Sequence, residues 1–163
     1  MAKKAKRKRT TRTASGRRAT PGKRKVATKK STKSAGRSDE RVSPSDVSLV
    51  EGKGTTGRGA GAGGHYWHIY AGGKRVGKVY INVIEEEPFG KHASIQIYLN
   101  QQAQGKGIGR VAYRLACEQS QHDEIIAHMR KSNVSSMKAA LAAGFEVVDD
   151  EKISQLAMRW TRP

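Results

Sequence analysis

Large hydrophobic residues are absent from the start of this chain and then recur at strand spacing. No Leu, Ile, Phe, Tyr or Trp occurs before Leu49. From His65 onward, alternating apolar runs bounded by Gly and Pro predict three strands, over residues 65–71, 75–86 and 93–100. Gly72-Gly73 predicts a tight turn between the first two strands. We therefore predict a three-stranded antiparallel meander after a long segment without a core.

The second half of the chain predicts two helices. Apolar residues recur at helical spacing from Ile108 to about Ser120, which indicates the first helix. Asn133 is a typical residue to cap the start of a second helix, and Gly144 is a typical residue to follow its end. The apolar stripe expected along this second helix consists of Val134, Met137 and Leu141.

Further strands are expected around these helices. The apolar run 125–129 is typical of a buried strand. Shorter runs over 145–148 and 156–160 predict two more, and residues 47–50 predict a short strand before the meander. The order β-β-β-α-β-α-β-β predicts an α/β fold with a mixed sheet and two main helices.

Positive charge is concentrated in the first 38 residues. They contain 16 of the 32 Lys and Arg residues and no acidic residue, which gives +16; residues 39–163 contain the other 16 and all 14 acidic residues, which gives +2. A segment without large apolar residues cannot offset the entropy of ordering. We expect residues 1–45 to be a disordered basic tail, 46–64 a Gly-rich linker with a short strand, and 65–163 the folded domain.

The composition of this tail is typical of segments that bind phosphates. Because it has no aromatic residue for base stacking, we expect it to bind DNA or RNA through the backbone, without sequence specificity. The alternatives are a mitochondrial transit peptide, for which the tail lacks an apolar face, a nuclear-localisation signal, and a solubilising segment without a partner. The residues expected to contact nucleic acid are Lys3, Lys4, Lys6, Arg7, Lys8, Arg9, Arg17, Arg18, Lys23, Arg24, Lys25, Lys29 and Lys30.

Other features limit the class of protein. No apolar run approaches the ~18 residues of a membrane span, and the N-terminus lacks the apolar region of a signal peptide. The single cysteine, Cys117, excludes an intramolecular disulfide and is expected to serve packing. His65 and His68 should face opposite sides of a strand, so we expect no metal site. These features favour a cytoplasmic protein associated with the nucleoid or ribosome, or a nuclear one in a eukaryote.

The segment with candidate chemistry is the glycine loop, residues 104–110, with the sequence QGKGIGR. It follows a predicted strand and opens directly into the first helix. Alternate glycines let backbone N–H groups converge without Cβ atoms in the way, and a helix N-terminus adds partial positive charge. Lys106 and Arg110 add two cations. Such a loop is suited to binding a pyrophosphate group.

The glycine loop resembles the Q/R-x-x-G-x-G/A acyl-CoA signature of the GNAT superfamily of N-acetyltransferases. Downstream, Asn133-Val134-Ser135-Ser136 and Ala142-Ala143-Gly144-Phe145 resemble that family's second motif, an Asn that begins a helix closed by Gly-Phe. The resemblance covers roughly residues 65–162. It implies the GNAT fold, acetyl-CoA as cosubstrate, and direct attack of a primary amine on the acetyl thioester, helped by a general base and a general acid.

The resemblance also implies roles by position. The backbone of Ile97 and Leu99 should pair with the pantetheine arm, where the fourth and fifth strands separate. The amides of residues 104–109 should hold the pyrophosphate, and Asn133 should contact the pantetheine or the thioester. The implied coenzyme-binding residues are Ile97, Leu99, Gln104, Gly105, Lys106, Gly107, Ile108, Gly109, Arg110 and Asn133.

The catalytic positions depart from the family pattern. Ala140 stands where many members have a Tyr acid, and the position of a Glu base falls near Ala93, without a carboxylate. A nearby candidate base is His92, since an imidazole has an ordinary pKa of about 6.5; its alternative reading is an exposed turn residue. Catalysis by positioning and an ordered water, without an indispensable acid, is also open.

Three functions follow from these observations. The first is an N-acetyltransferase that the tail localises to nucleic acid and that modifies a macromolecular amine, either a protein lysine or N-terminus or an aminoacyl-tRNA. The Gly-rich segment 51–64, in place of the helices that usually wall the acceptor pocket, favours this reading. The second is a small-molecule amine acetyltransferase. The third is a nucleic-acid-binding protein whose GNAT-like domain only binds CoA or a partner. The acceptor is left unknown, and a homodimer is left open.

Overall fold

The alternating apolar residues form a seven-stranded sheet in the computed structural model, which describes residues 41–151 and 153–163. The strands are β1 (Val47–Glu51), β2 (His65–Ala71), β3 (Lys74–Glu86), β4 (Gly90–Leu99), β5 (Glu124–Met129), β6 (Glu146–Val148) and β7 (Leu156–Thr161). Their order across the sheet is β1-β2-β3-β4-β5-β7-β6. The predictions for residues 1–40, the nucleic-acid contacts of the tail included, lie outside the described residues.

Strands β1 to β4 form the predicted antiparallel meander. Gly72 and Gly73 have φ values of 55° and 73°, which glycine adopts readily, and they close the turn between β2 and β3. β3 pairs with β4 from Gly77 as far as the next turn, where Glu86 pairs with Gly90. Because this pairing continues to the turn, β4 begins three residues earlier than the sequence predicts.

The sheet is mixed, as predicted. β5 lies parallel to β4, whereas β7 lies antiparallel to both β5 and β6. The two helices are α1 (Ile108–Gln119) and α2 (Val134–Leu141), and both contribute buried residues to the main hydrophobic core. The α/β fold class and its two helices are therefore confirmed for the described residues.

The predicted apolar stripe of α2 is wrong at two of its three positions. Val134 and Leu141 are 47% and 46% exposed, whereas Ala140 is fully buried. α2 faces α1 with small residues, and a Cβ atom built on Gly109 of α1 would lie 3.3 Å from the Cβ of Ala139. Because the two helices approach each other this closely, the larger side chains of α2 turn outward.

Residues 52–64 form a loop between β1 and β2 that Asn82 of β3 fastens to the sheet. The side-chain oxygen of Asn82 accepts a hydrogen bond from Gly59 N at 2.7 Å, and its amide nitrogen donates to Gly57 O at 3.0 Å. Gly59 has a φ of 75°, and a Cβ atom there would collide with the carbonyl of His65. The short strand expected over 47–50 is present as β1, which pairs with β2 along its full length.

One face of the sheet carries no helix in the described part of the chain; we call it the helix-free face. Val79, Ile81 and Ile95 point into the core that α1 and α2 cover. Successive residues of a strand point to opposite faces, so the residues between them point to the helix-free face. Across β2 to β5 this face carries Tyr66, His68, Tyr70, Lys78, Tyr80, Asn82, Ile84, Glu86, His92, Ser94, Gln96, Tyr98, Glu124, Ile126 and His128.

The described residues contain neither a membrane-spanning helix nor a cluster of metal ligands. Neither helix there is long and apolar enough to cross a membrane. No group of three His, Cys, Asp or Glu side chains within that same region is placed to hold a metal ion.

Candidate coenzyme and catalytic site

The strands β4 and β5 separate after only two pairs of residues. Ala93 pairs with Ile125 and Ser94 with Ile126, and no pair follows. Beyond that point β4 continues to Leu99 beside β3, while β5 continues to Met129 beside β7. The edge of β4 that includes Ile97 therefore has no strand beside it. An extended ligand can occupy such an edge by pairing with its backbone.

The glycine loop follows this open edge and leads into α1. Gly105 and Gly107 have φ values of 79° and 80°, and Gly107 is the N-cap of α1 without a side-chain cap. The first amides of a helix have no acceptor within the helix, and here no capping side chain supplies one. Ile108 anchors the turn because its side chain is buried in the core. These amides form an anion-binding helix start next to the gap between β4 and β5.

Gly109 has a different role from Gly105 and Gly107. It lies within the first turn of α1, and its missing side chain makes room for Ala139 of α2. Gly109 therefore serves the packing of α1 against α2; its expected contribution to the anion-binding amides stays a prediction. Sequence spacing could not separate the two roles, because both require glycine.

Two of the other predicted coenzyme residues make internal contacts. The side chain of Gln104 donates a hydrogen bond to Leu99 O at 3.1 Å, which ties the loop back to the end of β4. Asn133 caps α2, since its side-chain oxygen accepts from Ser136 N at 3.2 Å. The capping role predicted from the sequence is confirmed. The side-chain amide nitrogen of Asn133 remains available as a donor.

A basic pocket lies next to the glycine loop. Four cationic residues line it, from the chain before β1, the start of β3 and the loop itself: Arg41, Lys74, Arg75 and Lys106. Asp46 is the one carboxylate in its lining. The chain before β1 is held to the loop by a hydrogen bond from Val42 N to Lys106 O at 3.1 Å. Arg110, in contrast, is exposed on α1.

Two histidines meet on the helix-free face, where β4 and β5 are joined. Nε2 of His92 lies 3.2 Å from Nε2 of His128, and Phe89 packs against both rings. His92 is nearly buried, which contradicts its reading as an exposed turn residue. Burial, and then the charge of His92, lowers the pKa of His128, against a smaller opposing effect of Glu86. His128 is therefore neutral at neutral pH.

The hydrogen bonds of this pair fix where the protons lie. Nδ1 of His92 is 2.8 Å from Gly90 O. A carbonyl oxygen can only accept, so Nδ1 of His92 carries a hydrogen, and in the neutral ring Nε2 is an acceptor. Nε2 of His128 must then donate to it, which leaves Nδ1 of His128 as a free base.

Comparison with known protein families identifies the fold. The profile of the Acetyltransferase (GNAT) family matches residues 39–145, about two thirds of the chain. The chain belongs to the GNAT family. No similar protein was found among curated sequences.

Solved structures agree on the GNAT fold. The aminoglycoside acetyltransferase AAC(6')-Ib, in complex with parmomycin and acetyl-CoA, has a TM-score of 0.50 and 20% identity, over 61% of this chain and 66% of that one. A GNAT-family acetyltransferase from Streptococcus agalactiae 2603 has a TM-score of 0.53 and 12% identity, over 60% and 65%. This chain spans just under two thirds of the length of both.

The GNAT positions for a Tyr acid and a Glu base are both buried. Ala140 and Ala93 are 0% and 5% exposed and belong to the core. A tyrosine does reach α2 from α1: the hydroxyl of Tyr113 is 3.0 Å from that of Ser136, and burial, the largest influence, raises the pKa of Tyr113. This hydrogen bond joins the two helices of the GNAT core.

Sequence reasoning named His92 but missed its partner, His128. Part of the signal was present, because His128 lies in a predicted strand and His92 lies directly before the neighbouring one, but neither the extension of β4 to Gly90 nor the offset that brings the rings together is visible in the sequence. Cys117 behaves as expected, since it is fully buried, and burial raises the pKa of its thiol. The thiol is therefore not a nucleophile in this GNAT domain.

Proposed function

We propose that this chain is an acetyl-CoA-dependent N-acetyltransferase that acts on a primary amine. The observation that carries the proposal is the parting of β4 and β5 beside a helix start with uncapped amides. One side of this gap offers a free strand edge to an amide-bearing chain, and its end offers N–H groups to a diphosphate. In CoA the pantetheine arm is such an amide-bearing chain, and the pyrophosphate that follows it is such a diphosphate.

The surrounding residues suit the rest of the coenzyme. The pyrophosphate would lie on the amides of the glycine loop, with Lys106 near it. The basic pocket next to the loop offers Arg41, Lys74 and Arg75 to a further phosphate. Ile97 would pair with the pantetheine arm through its backbone, and the donor nitrogen of Asn133 could reach the same arm from the start of α2.

We assign the general base to His128, with His92 as its positioning residue. Nδ1 of His128 removes a proton from the ammonium group of the acceptor, and the free amine attacks the thioester carbonyl. The attacking nitrogen of the tetrahedral intermediate loses its extra proton to solvent and the C–S bond breaks, which gives the acetylated amine and CoA thiolate; protonated His128 returns its own proton to solvent. A thiol of ordinary pKa, about 8.5, is a good leaving group, so the thiolate can take its proton from solvent. This accounts for a site without a tyrosine at Ala140.

The acceptor side of the proposal is a macromolecular amine. No helix of the described residues covers the face that carries His128, so a bulky acceptor can approach it. The basic tail would anchor the enzyme to DNA or RNA and thereby to the nucleoid or the ribosome. A small-molecule amine is the second candidate, and the basis for keeping it is the fold shared with AAC(6')-Ib.

Coenzyme binding and turnover test this proposal separately. Calorimetry on the full chain should show one acetyl-CoA per chain. Release of CoA thiol should then depend on an added amine, and we would compare basic proteins, aminoacyl-tRNA, polyamines and an aminoglycoside. Binding without thiol release from any amine would support a CoA-binding module in place of an enzyme. No binding of acetyl-CoA would remove the proposal altogether.

A further inference from the structure

We propose that the helix-free face of the sheet binds single-stranded nucleic acid by base stacking. Tyr66, Tyr80 and Tyr98 lie side by side there on β2, β3 and β4; we call them the tyrosine row. Their ring centroids are 6.2 and 6.0 Å apart, and neighbouring planes differ by 9° and 15°. Tyr98, at one end, is 52% exposed, whereas Tyr80, stacked between the other two rings, is 4% exposed, so bases would stack on the end rings of the row. Aromatic rings on an open sheet are a common means of stacking unpaired bases.

The tyrosine row is held in place before any ligand arrives. The hydroxyl of Tyr80 donates a hydrogen bond to the side-chain oxygen of Gln96 at 2.8 Å. His68 packs edge-on against Tyr66, with 5.2 Å between the ring centroids. Rings that are already ordered lose little conformational entropy when a base stacks on them, which favours binding.

Cations surround the tyrosine row, and acids do not. Nζ of Lys78 lies 5.4 Å from the ring centroid of Tyr98. Burial raises the pKa of Tyr80 to about 12, and the charge of Arg58 opposes this rise. Burial, and then the charge of Arg75, lowers the pKa of His68. Both arginines therefore act on this face.

These cations have charge to offer to a ligand. The ion pairs of the described residues involve Arg114, Arg159 and Arg162, and neither Lys78 nor Arg58; Arg75 also lines the basic pocket beside the glycine loop and is assigned there. The positions that share this face with the row carry no carboxylate in β2, in β3 as far as Ile84, or in residues 92–98 of β4; Glu86, at the far end of β3, acts on His128 instead. A ligand with a negative backbone and flat, unpaired bases matches this combination of rings and free cations.

The charge also argues against other occupants. The chain's own tail carries +16 and a second copy of the chain +18, so both would bring like charge to this face. A nucleic acid brings the opposite charge. Its phosphates would contact the cations of the tail, which has no aromatic residue, and its bases would contact the rings of the tyrosine row.

The test compares oligonucleotides with and without bases. Fluorescence anisotropy on the full chain would measure binding of a thymidylate oligomer of about ten nucleotides, within the range that one stacking domain covers, and of an abasic oligomer of equal length. The tail binds phosphates in both, so only stacking separates them. We expect tighter binding of the base-bearing oligomer, and a loss of about five-fold or more in that affinity in Tyr98→Ala, from ~1 kcal/mol or more per stacked base.

Matched variants make the result specific. Tyr98→Phe keeps the ring and should keep the preference for bases, whereas Leu141→Ala truncates an equally exposed side chain on α2 and should change nothing. Ultraviolet cross-linking of the unmodified protein to the thymidylate oligomer should map to peptides that contain Tyr66 or Tyr98. A uridylate oligomer distinguishes RNA from DNA.

Three outcomes would overturn the proposal. Equal affinity of the unmodified protein for the two oligomers would show that bases are not read. A preference for bases that persists in folded Tyr98→Ala, with cross-links elsewhere, would place the stacking site outside the tyrosine row. A change of oligomeric state in Tyr98→Ala would show that this face joins copies of the chain. None of these outcomes depends on acetyl transfer.

Discussion

At the scale of single residues, the His92–His128 pair predicts how the rate of acetyl transfer depends on pH. The neutral form of His128 is the base that we propose, and its pKa lies below the ordinary value because of burial and the charge of His92. The rate should therefore be constant near neutral pH and fall as the pH drops through this lowered pKa. In His92→Gln one of the lowering influences is removed, so the fall should begin at a higher pH.

His128→Gln should reduce kcat by about 10² or more, the usual contribution of a general base. His122→Gln is the control, because its ring bonds to Gly63 O and packs against His65 and not against either ring of the pair. The measurement is the pH dependence of thiol release. An acidic limb that survives in His128→Gln would remove this residue from the mechanism.

The backbone of single glycines decides coenzyme binding. Gly105→Val and Gly107→Val each place a side chain at a φ near +80°, which costs about 1–2 kcal/mol of stability, and they crowd the pyrophosphate site. We expect calorimetry to show that acetyl-CoA affinity is lost. Gly57→Val has the same kind of strain, at a φ of 73°, in the loop between β1 and β2, outside both the glycine loop and the basic pocket, so it should lose stability and keep its affinity. If all three variants bind alike, the glycine loop is not the site.

At the scale of elements, the contact between α1 and α2 predicts that a substitution at Gly109 affects stability more than coenzyme affinity. Gly109→Val inserts a side chain where a Cβ atom is already 3.3 Å from Ala139, and overpacking of this kind costs about 1–3 kcal/mol. Denaturant unfolding should show this loss, and adding Ala139→Gly should recover part of it. If Gly109→Val keeps full stability but loses affinity for the coenzyme, Gly109 serves the pyrophosphate site and not the packing of the helices.

Elements were predictable from the sequence to the extent that local patterns define them. The helical spacing from Ile108 predicted α1 to within a residue and Asn133 predicted the start of α2, whereas the alternation over 93–100 predicted the end of β4 but missed its first three residues. The outward turn of Leu141 was not predictable, because it depends on how closely two helices approach. The meeting of His92 and His128 was missed for a similar reason, since it depends on the register of distant strands.

For the whole molecule, buried histidines make stability depend on pH. Burial is the main cause that lowers the pKa values of His65 and His128. The unfolded chain therefore takes up protons at its ordinary pKa, about 6.5, before the folded chain does. Stability should be constant above that pH and fall as the pH drops from about 7 to 5. Melting temperatures across this range would show it, and the double variant His65→Gln, His128→Gln should flatten the slope.

The hydrogen bond from Val42 N to Lys106 O holds the chain just before β1 beside the glycine loop. Lys30 is only eleven residues before Arg41, so it can be no more than about 40 Å from it at ~3.6 Å per residue. If the chain acetylates its own lysines, the reaction is then intramolecular. Its half-time should stay the same when the protein is diluted, whereas transfer between separate molecules would slow in proportion. Each acetyl group would also remove one positive charge, so the enzyme would gradually weaken its own hold on nucleic acid while acetyl-CoA is plentiful.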